Sequence, residues 1–456
     1  MTSFVNFVND FDALMWGLPL IVILLGTHIF ATFRTGFIQR KVFLGIKLSV
    51  TPAPGEGGEG EVSGFGALAT ALAGTIGTGN IIGVATAFSL GGPGAVLWTW
   101  LSGLLGMATS YLENMMAVRY RERTEDGRFI GGAMYACEKG LHAKWLGVLF
   151  AFFAMIAAFG IGCMTQANSI STALNQNFHI PTWVAAVLVA VLTAIVIIGG
   201  VKSIVNVTTK IVPFMAAFYI VSCIVILVLN GGAVGQAIVL ICKSAFSMQS
   251  GTAGLAGFTV AKAMRYGIAR GLFSNEAGMG SSPIVAASAR TPNPVRQALV
   301  IMTGPFWDTV VICALTGITL VSSAIAHPEF LTGGDDTVLT FKCFELIPVV
   351  GRPCIAIALA LFAFSTILGW EYYGEKSAEY LFGVKAVNPY KVLWIIFAFI
   401  GCIIKLDFVF TVSDILNGLM IIPNVICVWA LSNGLMQESK KFLNNVDAPA
   451  GEGDFI

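Results

Sequence analysis

The sequence predicts an all-α polytopic membrane protein with about eleven transmembrane helices. Of its 456 residues, 56% are hydrophobic and only 11% are charged, whereas soluble domains contain about 25% charged residues. Apolar runs long enough to cross a bilayer, about 20 residues each, recur along the whole chain. Two of these runs are interrupted by clusters of glycine and polar residues, and these interruptions are the first indication of a binding site.

The apolar runs form a single membrane domain. The first run lies close to the start, but the segment before it carries Asp10 and no Lys or Arg. We therefore interpret it as a helix that stays in the mature protein and not as a signal peptide. We expect spans at 12–33, 64–90, 94–118, 145–175, 182–200, 211–230, 257–289, 296–325, 353–383, 390–405 and 408–435.

These spans group into four parts of the chain. An extra N-terminal helix with its connector, at 1–50, is followed by a first repeat at 62–230. A second repeat follows at 257–435 and a polar cytoplasmic tail at 436–456. We also expect a flexible loop at 51–61, a helix near the outer surface at 235–250 and a main outer loop at 326–350. The tail at 436–456 is expected to be disordered.

The basic residues predict how the chain is oriented. Lys and Arg favour the cytoplasmic side of a membrane. Eleven spans with an outside N-terminus place most of the 26 basic residues inside, including Arg34, Lys41, Arg119 and Lys440. We therefore expect a multi-pass protein of the cell membrane, surrounded by lipid, with its N-terminus outside and its C-terminus in the cytoplasm.

The run at 64–90 is the first interrupted run. It contains AGTIGTGNIIG from Ala73 to Gly83, in which four glycines alternate with two threonines and an asparagine. Each glycine weakens a helix by about 1 kcal/mol relative to alanine. Two interpretations are open: a small-residue face that packs closely against a neighbouring helix, or a helix broken at membrane depth.

The run at 257–289 is the second. It contains LFSNEAGMGSSP at 272–283, with Glu276 at membrane depth, where a charge costs about 2.5 kcal/mol or more and usually marks function. Ser282 followed by Pro283 is typical of an N-cap and the first residue of a new helix. We expect the span to stop near Phe273 and to restart near Pro283; the alternative is a re-entrant loop or an interfacial segment.

Two broken helices would supply complementary charges. Non-helical backbone at membrane depth is tolerated where it is buried in protein or lines a cavity. A restarted half-helix offers N–H groups to an anion, and an ended half-helix offers C=O groups to a cation. A zwitterion together with a metal cation matches these groups. Two breaks about 200 residues apart, each first in a set of five helices, also fit an inverted repeat.

At these two segments the sequence resembles the alanine or glycine:cation symporter family. The likeness is carried by GTIGTGNIIGVATA at 74–87 and GLFSNEAGMGSSPIVAASA at 271–289, and it covers nearly the whole chain. It implies a LeuT-like five-plus-five inverted repeat with one extra N-terminal helix and two broken helices. It further implies a secondary active symporter that couples inward movement of sodium, or alternatively of protons, to uptake of a small neutral amino acid, alanine and/or glycine, by alternating access.

The resemblance also assigns residues of the first break. GTGN at 77–80 aligns with the GLGN pattern of the LeuT-like first broken helix. The amides of Thr78 and Gly79 are then expected to bind the substrate carboxylate and the carbonyl of Thr75 the ammonium. The substrate-binding residues expected in this segment are Thr75, Thr78, Gly79 and Asn80.

In the second break, FSNEAGMG at 273–280 aligns with the LeuT-like pattern FTLSLGFG. Phe273 and Met279 are expected to line the pocket, and Ser274 to offer a polar contact. Glu276 replaces a serine of the pattern, so it either binds the ammonium directly or is a buried structural anion. Where LeuT-like proteins contact the carboxylate through a tyrosine, the segment GCMTQANS offers Gln166.

The resemblance places the cation in the span at 353–383, which contains FAFSTILGW. Ser365 and Thr366 match a hydroxyl pair that completes a sodium site with the carbonyls of Ala73 and Ile76. Such a neutral set of hydroxyls and carbonyls favours sodium over protons. Alternatively, the two hydroxyls only bond the preceding helical turn. Trp370 lies four residues after Thr366, on the same face, and is expected to cap the pocket.

Other functions receive less support. The net charge of +1 gives no electrostatic basis for binding nucleic acid. The nine cysteines form no CxxC pair and the four histidines are scattered, so zinc, haem and iron–sulfur sites are not expected. An ATP-binding Walker motif is absent, and no hydrolase dyad accompanies Glu276, so we do not expect an enzyme. An ion channel or another bundle without coupled transport remains the alternative, although no filter motif is visible.

Overall fold

The computed structural model of the chain describes residues 2–51, 60–124, 127–246, 259–291, 293–331 and 336–444. Nearly all of its regular structure is helical, because a backbone inside a bilayer must satisfy its polar groups internally. Within these ranges one small sheet is present, in which β1 (Glu122–Arg123) pairs antiparallel with β2 (Phe129–Ile130).

The first half of the chain contains nine main helices among the described residues. They are α1 (Val5–Arg34), α2 (Val42–Val50), α3 (Gly64–Thr75), α4 (Gly79–Gly91), α5 (Gly94–Arg119), α6 (Lys144–Phe178), α7 (Thr182–Ile197), α8 (Gly200–Leu229) and α9 (Gly231–Ser244).

The second half contains seven main helices, again counted over the described ranges. They are α10 (Val260–Asn275), α11 (Ser282–Ala286), α12 (Pro294–Ala326), α13 (Asp336–Phe344), α14 (Gly351–Phe382), α15 (Val384–Gly401) and α16 (Phe408–Asn444). Three long or broken helices include π-helical turns, a feature that is rare and frequent at functional sites; these turns are Gly79–Gly83, Ala158–Met164 and Phe306–Cys313.

The number of spans differs from the prediction. Of the described helices, eight are long and apolar enough to cross a membrane, and the pair α3 and α4, bent by 55°, makes nine. The count of eleven is therefore not confirmed. The helix predicted at 182–200 has only 16 residues, and the span predicted at 257–289 is divided between α10 and α11, with 257–258 outside the described residues.

Several boundaries also differ from the prediction. The helix predicted at 211–230 begins earlier, as α8, and continues through Pro213. The helix predicted at 235–250 is α9, although 247–250 lie outside the described residues. The loop predicted at 51–61 lies almost wholly outside them, since only its first residue and 60–61 are described.

The expectation of a disordered tail from 436 onward is wrong for its first nine residues, because α16 continues to Asn444. The reason is tertiary packing that the polar composition did not reveal. The hydroxyls of Tyr111 and Ser439 are hydrogen-bonded at 2.6 Å, and Arg119 forms an ion pair with Glu438. These contacts attach the end of α16 to α5; residues 445–456 lie outside the described part of the chain.

The centre of the molecule is α14, which is buried along most of its length and packs against α3, α6 and α8. On the other side of the site, α10 packs along α5. The outer faces of α7 and α8 instead expose large apolar side chains, among them Ile195, Phe214 and Val228. This distribution, with polar groups inside and apolar groups outside, suits a lipid environment and leaves the two broken helices in the interior.

Candidate functional site

The first break lies between α3 and α4, where residues 76 and 77 leave the helix. The side-chain oxygen of Asn80 accepts a hydrogen bond from the amide of Gly77 at 2.9 Å and holds the turn. A Cβ on Gly77 would lie 2.6 Å from Oγ1 of Thr366, so only glycine fits this close approach. The interpretation of this segment as a broken helix is therefore confirmed.

The second break lies between α10 and α11. α10 ends at Asn275, and Glu276, Gly278 and Gly280 have positive φ values of 55°, 89° and 80°. The predicted interruption is confirmed, but α10 ends two residues later than expected. The restart also differs by one residue, because Ser281 takes the N-cap position and makes no side-chain capping bond.

Two amides of the second break bond a carboxylate of the protein itself. The carboxylate of Glu113, on α5, accepts hydrogen bonds from the amides of Gly278 at 3.1 Å and Gly280 at 3.0 Å. The side-chain amide of Asn424 also donates to it. Glu113 is fully buried. A buried side chain thus satisfies the two amides that precede the restarted helix.

A small cavity lies between the two breaks. The space is about 20 Å³, enough for about one water molecule, so the site is closed in this conformation. Eight predicted substrate-binding residues line it, namely Thr75, Thr78, Gly79, Gln166, Phe273, Ser274, Glu276 and Trp370. The remaining lining residues are Gly74, Gly77, Ile161, Thr366 and Asn417.

Glu276 reaches this cavity with both of its oxygens already bonded to protein donors. Ser281 donates to Oε2 at 2.5 Å, and the indole Nε1 of Trp370 donates to Oε1 at 2.9 Å. These bonds hold the Trp370 ring against the cavity, as a structural anion would. Because a carboxylate can accept about four hydrogen bonds, contact with a substrate ammonium remains the other interpretation.

Two predicted residues do not line the cavity. Met279 lies behind it, where its sulfur is 3.7 Å from the side-chain nitrogen of the lining residue Asn417. Asn80 is fully buried, and its Nδ2 donates to the carboxylate of Asp308 at 2.6 Å. Asn80 therefore shapes the first break and lies one layer away from the cavity.

Asp308 is a buried carboxylate that the sequence reading did not select. It lies in the π-helical turn of α12 and accepts hydrogen bonds from Asn80, from Ser274 at 2.9 Å and from Thr309 at 2.6 Å. The hydroxyl of Ser274, predicted to contact the substrate, is thus used in this bond. Asp308 and Glu113 each carry a charge inside an apolar run, which is the signal that could have identified them.

Gln166 has its side-chain oxygen toward the first break. Its Nε2 donates to the carbonyl of Ile161 at 3.1 Å, and its Oε1 has no hydrogen-bond partner among the described residues. A Cβ on Gly77 would lie 3.6 Å from that oxygen. Gln166 is therefore placed beside the amides that were predicted to bind a carboxylate.

The four predicted cation ligands lie together at the end of α3. Ser365 Oγ is 3.4 Å from the carbonyl oxygen of Ala73, and Thr366 Oγ1 is 3.5 Å from that of Ile76. Both hydroxyls also donate to the carbonyl of Phe362 one turn earlier, at 2.9 and 3.1 Å, as the alternative interpretation expects. They therefore bond the preceding turn and also lie close to two carbonyls of the broken helix.

The oxygens at this position suit a hard monovalent cation. They are neutral carbonyls and hydroxyls, and among the described residues no group of three or more His, Cys, Asp or Glu is placed to hold a metal ion.

Two helix breaks that border one small cavity inside a bundle of long apolar helices are typical of the binding sites of membrane transporters. The chain belongs to the sodium:alanine symporter family, whose model matches residues 1–452. It is 46% identical to the sodium/alanine symporter AgcS of Methanococcus maripaludis, over 96% of this chain and 97% of that one. An uncharacterized transporter of Haemophilus influenzae is 45% identical over 97% of this chain and 96% of its own length.

The structural comparison agrees with this assignment. The crystal structure of MhsT in complex with L-phenylalanine superposes with a TM-score of 0.62, covering 84% of this chain and 93% of MhsT, at 17% sequence identity. At this identity the likeness shows the fold alone. The predicted family and the LeuT-like all-α membrane fold are thus confirmed, and a family of secondary transporters also confirms that the chain is not an enzyme.

Proposed function

We propose that this protein is a sodium-coupled symporter that takes up a small neutral amino acid, alanine and/or glycine, by alternating access. The observation that carries the proposal is the small cavity that touches both helix breaks and adjoins the oxygens of Ala73, Ile76, Ser365 and Thr366. The sodium/alanine symporter AgcS, nearly half identical along nearly its whole length, supports the same substrate and cation.

The first break provides the substrate-binding groups. Thr78 and Gly79 line the cavity at the start of α4, and the amides of helix N-termini favour carboxylates. Gln166 lies beside them as a further contact to the carboxylate. The substrate ammonium is then directed to the carbonyl of Thr75, with the carboxylate of Glu276 across the cavity.

Coupling between cation and substrate follows from their use of one backbone segment. The carbonyl of Ile76 faces the hydroxyl of Thr366, and the amide of Thr78 follows two residues later. A bound sodium ion fixes the carbonyls of Ala73 and Ile76 and thereby orders the amides that read the substrate. Each ligand then raises the affinity for the other by the same factor.

Selection for small side chains is expected from the bulky rings that border the cavity. The rings of Phe273 and Trp370 line it, and a Cβ on Gly162 would lie 2.2 Å from Cβ of Trp370, so this ring has little room to retreat. Overpacking costs about 1–3 kcal/mol. Backbone groups bind only the carboxylate and ammonium that all amino acids share. Discrimination among apolar side chains therefore depends on the exclusion of large ones.

The function is tested by uptake into proteoliposomes that contain the purified protein. Glycine, alanine, valine, leucine and glutamine are offered with sodium, lithium or proton gradients imposed separately. We expect uptake of alanine or glycine that requires the sodium gradient and accumulates substrate against its own gradient. Uptake driven by a proton gradient alone would show that protons, and not sodium, are the coupling ion. A cation conductance that is independent of amino acids would indicate a channel and overturn the proposal.

We also propose that the N-terminus lies outside and the C-terminus in the cytoplasm of the cell. The basic loop between α5 and α6, which contains Arg121 and Arg128, then faces the cytoplasm, as the charge rule favours. A single cysteine introduced at 52–59 into a variant without other cysteines should react with an impermeant reagent only from the cytoplasmic side. Labelling only from outside would overturn this orientation.

A further inference from the structure

The C-terminal half of α14, which faces the cytoplasm in the proposed orientation, carries a chain of alternating charges, here called the charge ladder. Lys376 lies 3.0 Å from the carboxylate of Glu375 and 2.7 Å from that of Glu379. Lys391, on α15, contacts Glu375 at 3.1 Å, and Arg128 contacts Glu379 at 2.8 Å. In the charge ladder, every carboxylate is therefore paired with two cations.

Glu371 lies one helical turn further into the membrane, on the face shared with Glu375. Its side chain is fully buried, and neither of its carboxylate oxygens has a hydrogen-bond partner among the described residues. It directly follows Trp370, which lines the cavity. Glu371 is thus placed between the cavity and the charge ladder, and nothing in the proposed binding of substrate or sodium uses it.

The surroundings of Glu371 come from three helices. On α14 the charged neighbours are Glu375 and Lys376, and on α15 they are Lys391 together with the phenol of Tyr390. On α6 the thiol of Cys163 lies close enough to interact with it electrostatically, in the π-helical turn that also supplies Ile161 to the cavity.

These surroundings have opposite effects on whether the carboxyl group of Glu371 is protonated. A carboxylate buried without hydrogen bonds is costly, so the closed conformation favours the neutral acid. The Glu375 carboxylate repels the charged form, while the two lysines attract it, and water that reaches the site would repay the cost of desolvation. The protonation of Glu371 therefore depends on whether the cytoplasmic side of the site is closed or open.

We propose that Glu371 is a proton-binding site of the transport cycle, occupied in the closed conformation and emptied when the cytoplasmic side opens. On opening, the O–H bond of the acid breaks and the proton passes to water at the charge ladder, while the carboxylate pairs with the lysines. The same compartment returns the proton before the site closes again. The proton is exchanged on one side and is not carried across the membrane.

This proposal rests on the proposed symport function and predicts how uptake responds to pH. Sodium-driven alanine uptake is measured in proteoliposomes at fixed external pH while the internal pH is varied. Wild-type uptake should fall as the internal pH rises, approaching about tenfold per pH unit at the alkaline limit, because closing requires one proton. Glu371→Gln, which stays neutral, should remove this dependence and keep the sodium dependence.

Two further variants serve as controls. Glu138→Gln changes another carboxylate on the same predicted side, one that faces water and accepts a hydrogen bond from Tyr380 at 2.6 Å, and it should keep the wild-type response to internal pH. Glu371→Asp keeps an acid at the site and should restore a pH response that Glu371→Gln lacks. A Glu371→Gln protein with the wild-type pH response would overturn the proposal.

A second measurement does not depend on transport. The carbonyl stretching band of protonated carboxylic acids is recorded by infrared spectroscopy on the purified protein across a range of pH. We expect a component in the wild type that Glu371→Gln lacks, even if that variant is inactive. Identical acid bands in the two proteins would refute the proton site. Absence of sodium-driven alanine uptake by the wild type would instead refute the proposed function and leave the infrared result to decide on Glu371.

Discussion

The two helix breaks look alike in sequence but differ in which groups satisfy their backbone. In the first break the carbonyls of Ala73 and Ile76 face two hydroxyls, and Thr78 and Gly79 line the cavity. In the second, the amides of Gly278 and Gly280 are bonded to the carboxylate of Glu113. A glycine-rich interruption therefore forms a ligand-binding site only when other groups of the protein do not already bond its backbone N–H and C=O groups.

The two breaks therefore have different roles. The first break is a backbone that responds to ligands, because sodium and substrate would complete its hydrogen bonding. The second break is pre-formed by Glu113 and Asn424, and it presents side chains such as Phe273 and Glu276 to the cavity. The variants below separate these two roles.

The largest effect is expected at the carboxylate of the second break. Glu113→Ala leaves the amides of Gly278 and Gly280 without their acceptor, and each unpaired buried donor costs about 1–3 kcal/mol. We expect the free energy of unfolding to fall by several kcal/mol, on the order of 2–6, and uptake to be lost. Thermal unfolding in detergent measures this.

The control is Glu345→Ala, which removes an exposed ion pair with Arg352 of a kind that contributes little. The two variants should therefore differ clearly in Tm. Equal Tm values for Glu113→Ala and the wild type would show that the second break does not depend on this carboxylate.

The next effect is expected at the first break. In Gly77→Ala the new methyl group would lie 2.6 Å from Oγ1 of Thr366, whereas a Cβ on Gly83 meets no atom within 4 Å. An overpacking cost of about 1–3 kcal/mol corresponds to roughly a 5- to 150-fold loss of sodium affinity. The sodium dependence of alanine binding measures this loss of affinity, with Gly83→Ala as the matched control. Equal sodium affinities in the two variants would show that Gly77 does not belong to the sodium site.

A smaller effect is expected from the hydroxyl of Thr366. Thr366→Val keeps the shape and removes one ligand oxygen, so the sodium concentration for half-maximal uptake should rise about tenfold, or about 1.4 kcal/mol. Thr86→Val is the control, because the Thr86 hydroxyl donates to the carbonyl of Ile82 one turn earlier on its own helix. Unchanged sodium dependence in both Ser365→Ala and Thr366→Val would refute the cation site.

The smallest effect concerns selectivity. Trp370→Ala should enlarge the cavity and let valine and leucine compete with alanine, with a gain of up to about 0.8 kcal/mol for each methylene that fits. Met279→Ala should do so less, because Met279 lies behind Asn417. Competition assays measure both, and sodium dependence should persist. A wild type that binds leucine as well as alanine would contradict selection by size.

The sequence revealed the breaks and the groups that are local to them. Glycine density located the first break, one glutamate among apolar residues located the second, and the family resemblance placed Ser365 and Thr366 near the end of α3. Local signals also explain the errors: the polar composition of 436–444 suggested disorder, although packing of Ser439 against Tyr111 keeps that segment helical.

The residues that sequence reading missed act over long separations. Glu113 reaches amides 165 and 167 positions away, and Asp308 reaches Asn80 across 228 positions. No periodicity or turn signal in one segment identifies a partner so distant in the chain. A lone acid inside an apolar run shows that a partner is needed, but only the packed helices show which one it has.

The central claim is that ligands complete the hydrogen bonding of the first break and leave that of the second unchanged. Hydrogen–deuterium exchange of the purified protein, with and without sodium plus alanine, measures it at the backbone amides themselves. We predict increased protection at Thr78 and Gly79 and no change at Gly278 and Gly280, which already donate to Glu113. Protection that rises at Gly278 and Gly280 while Thr78 and Gly79 stay unchanged would contradict the account.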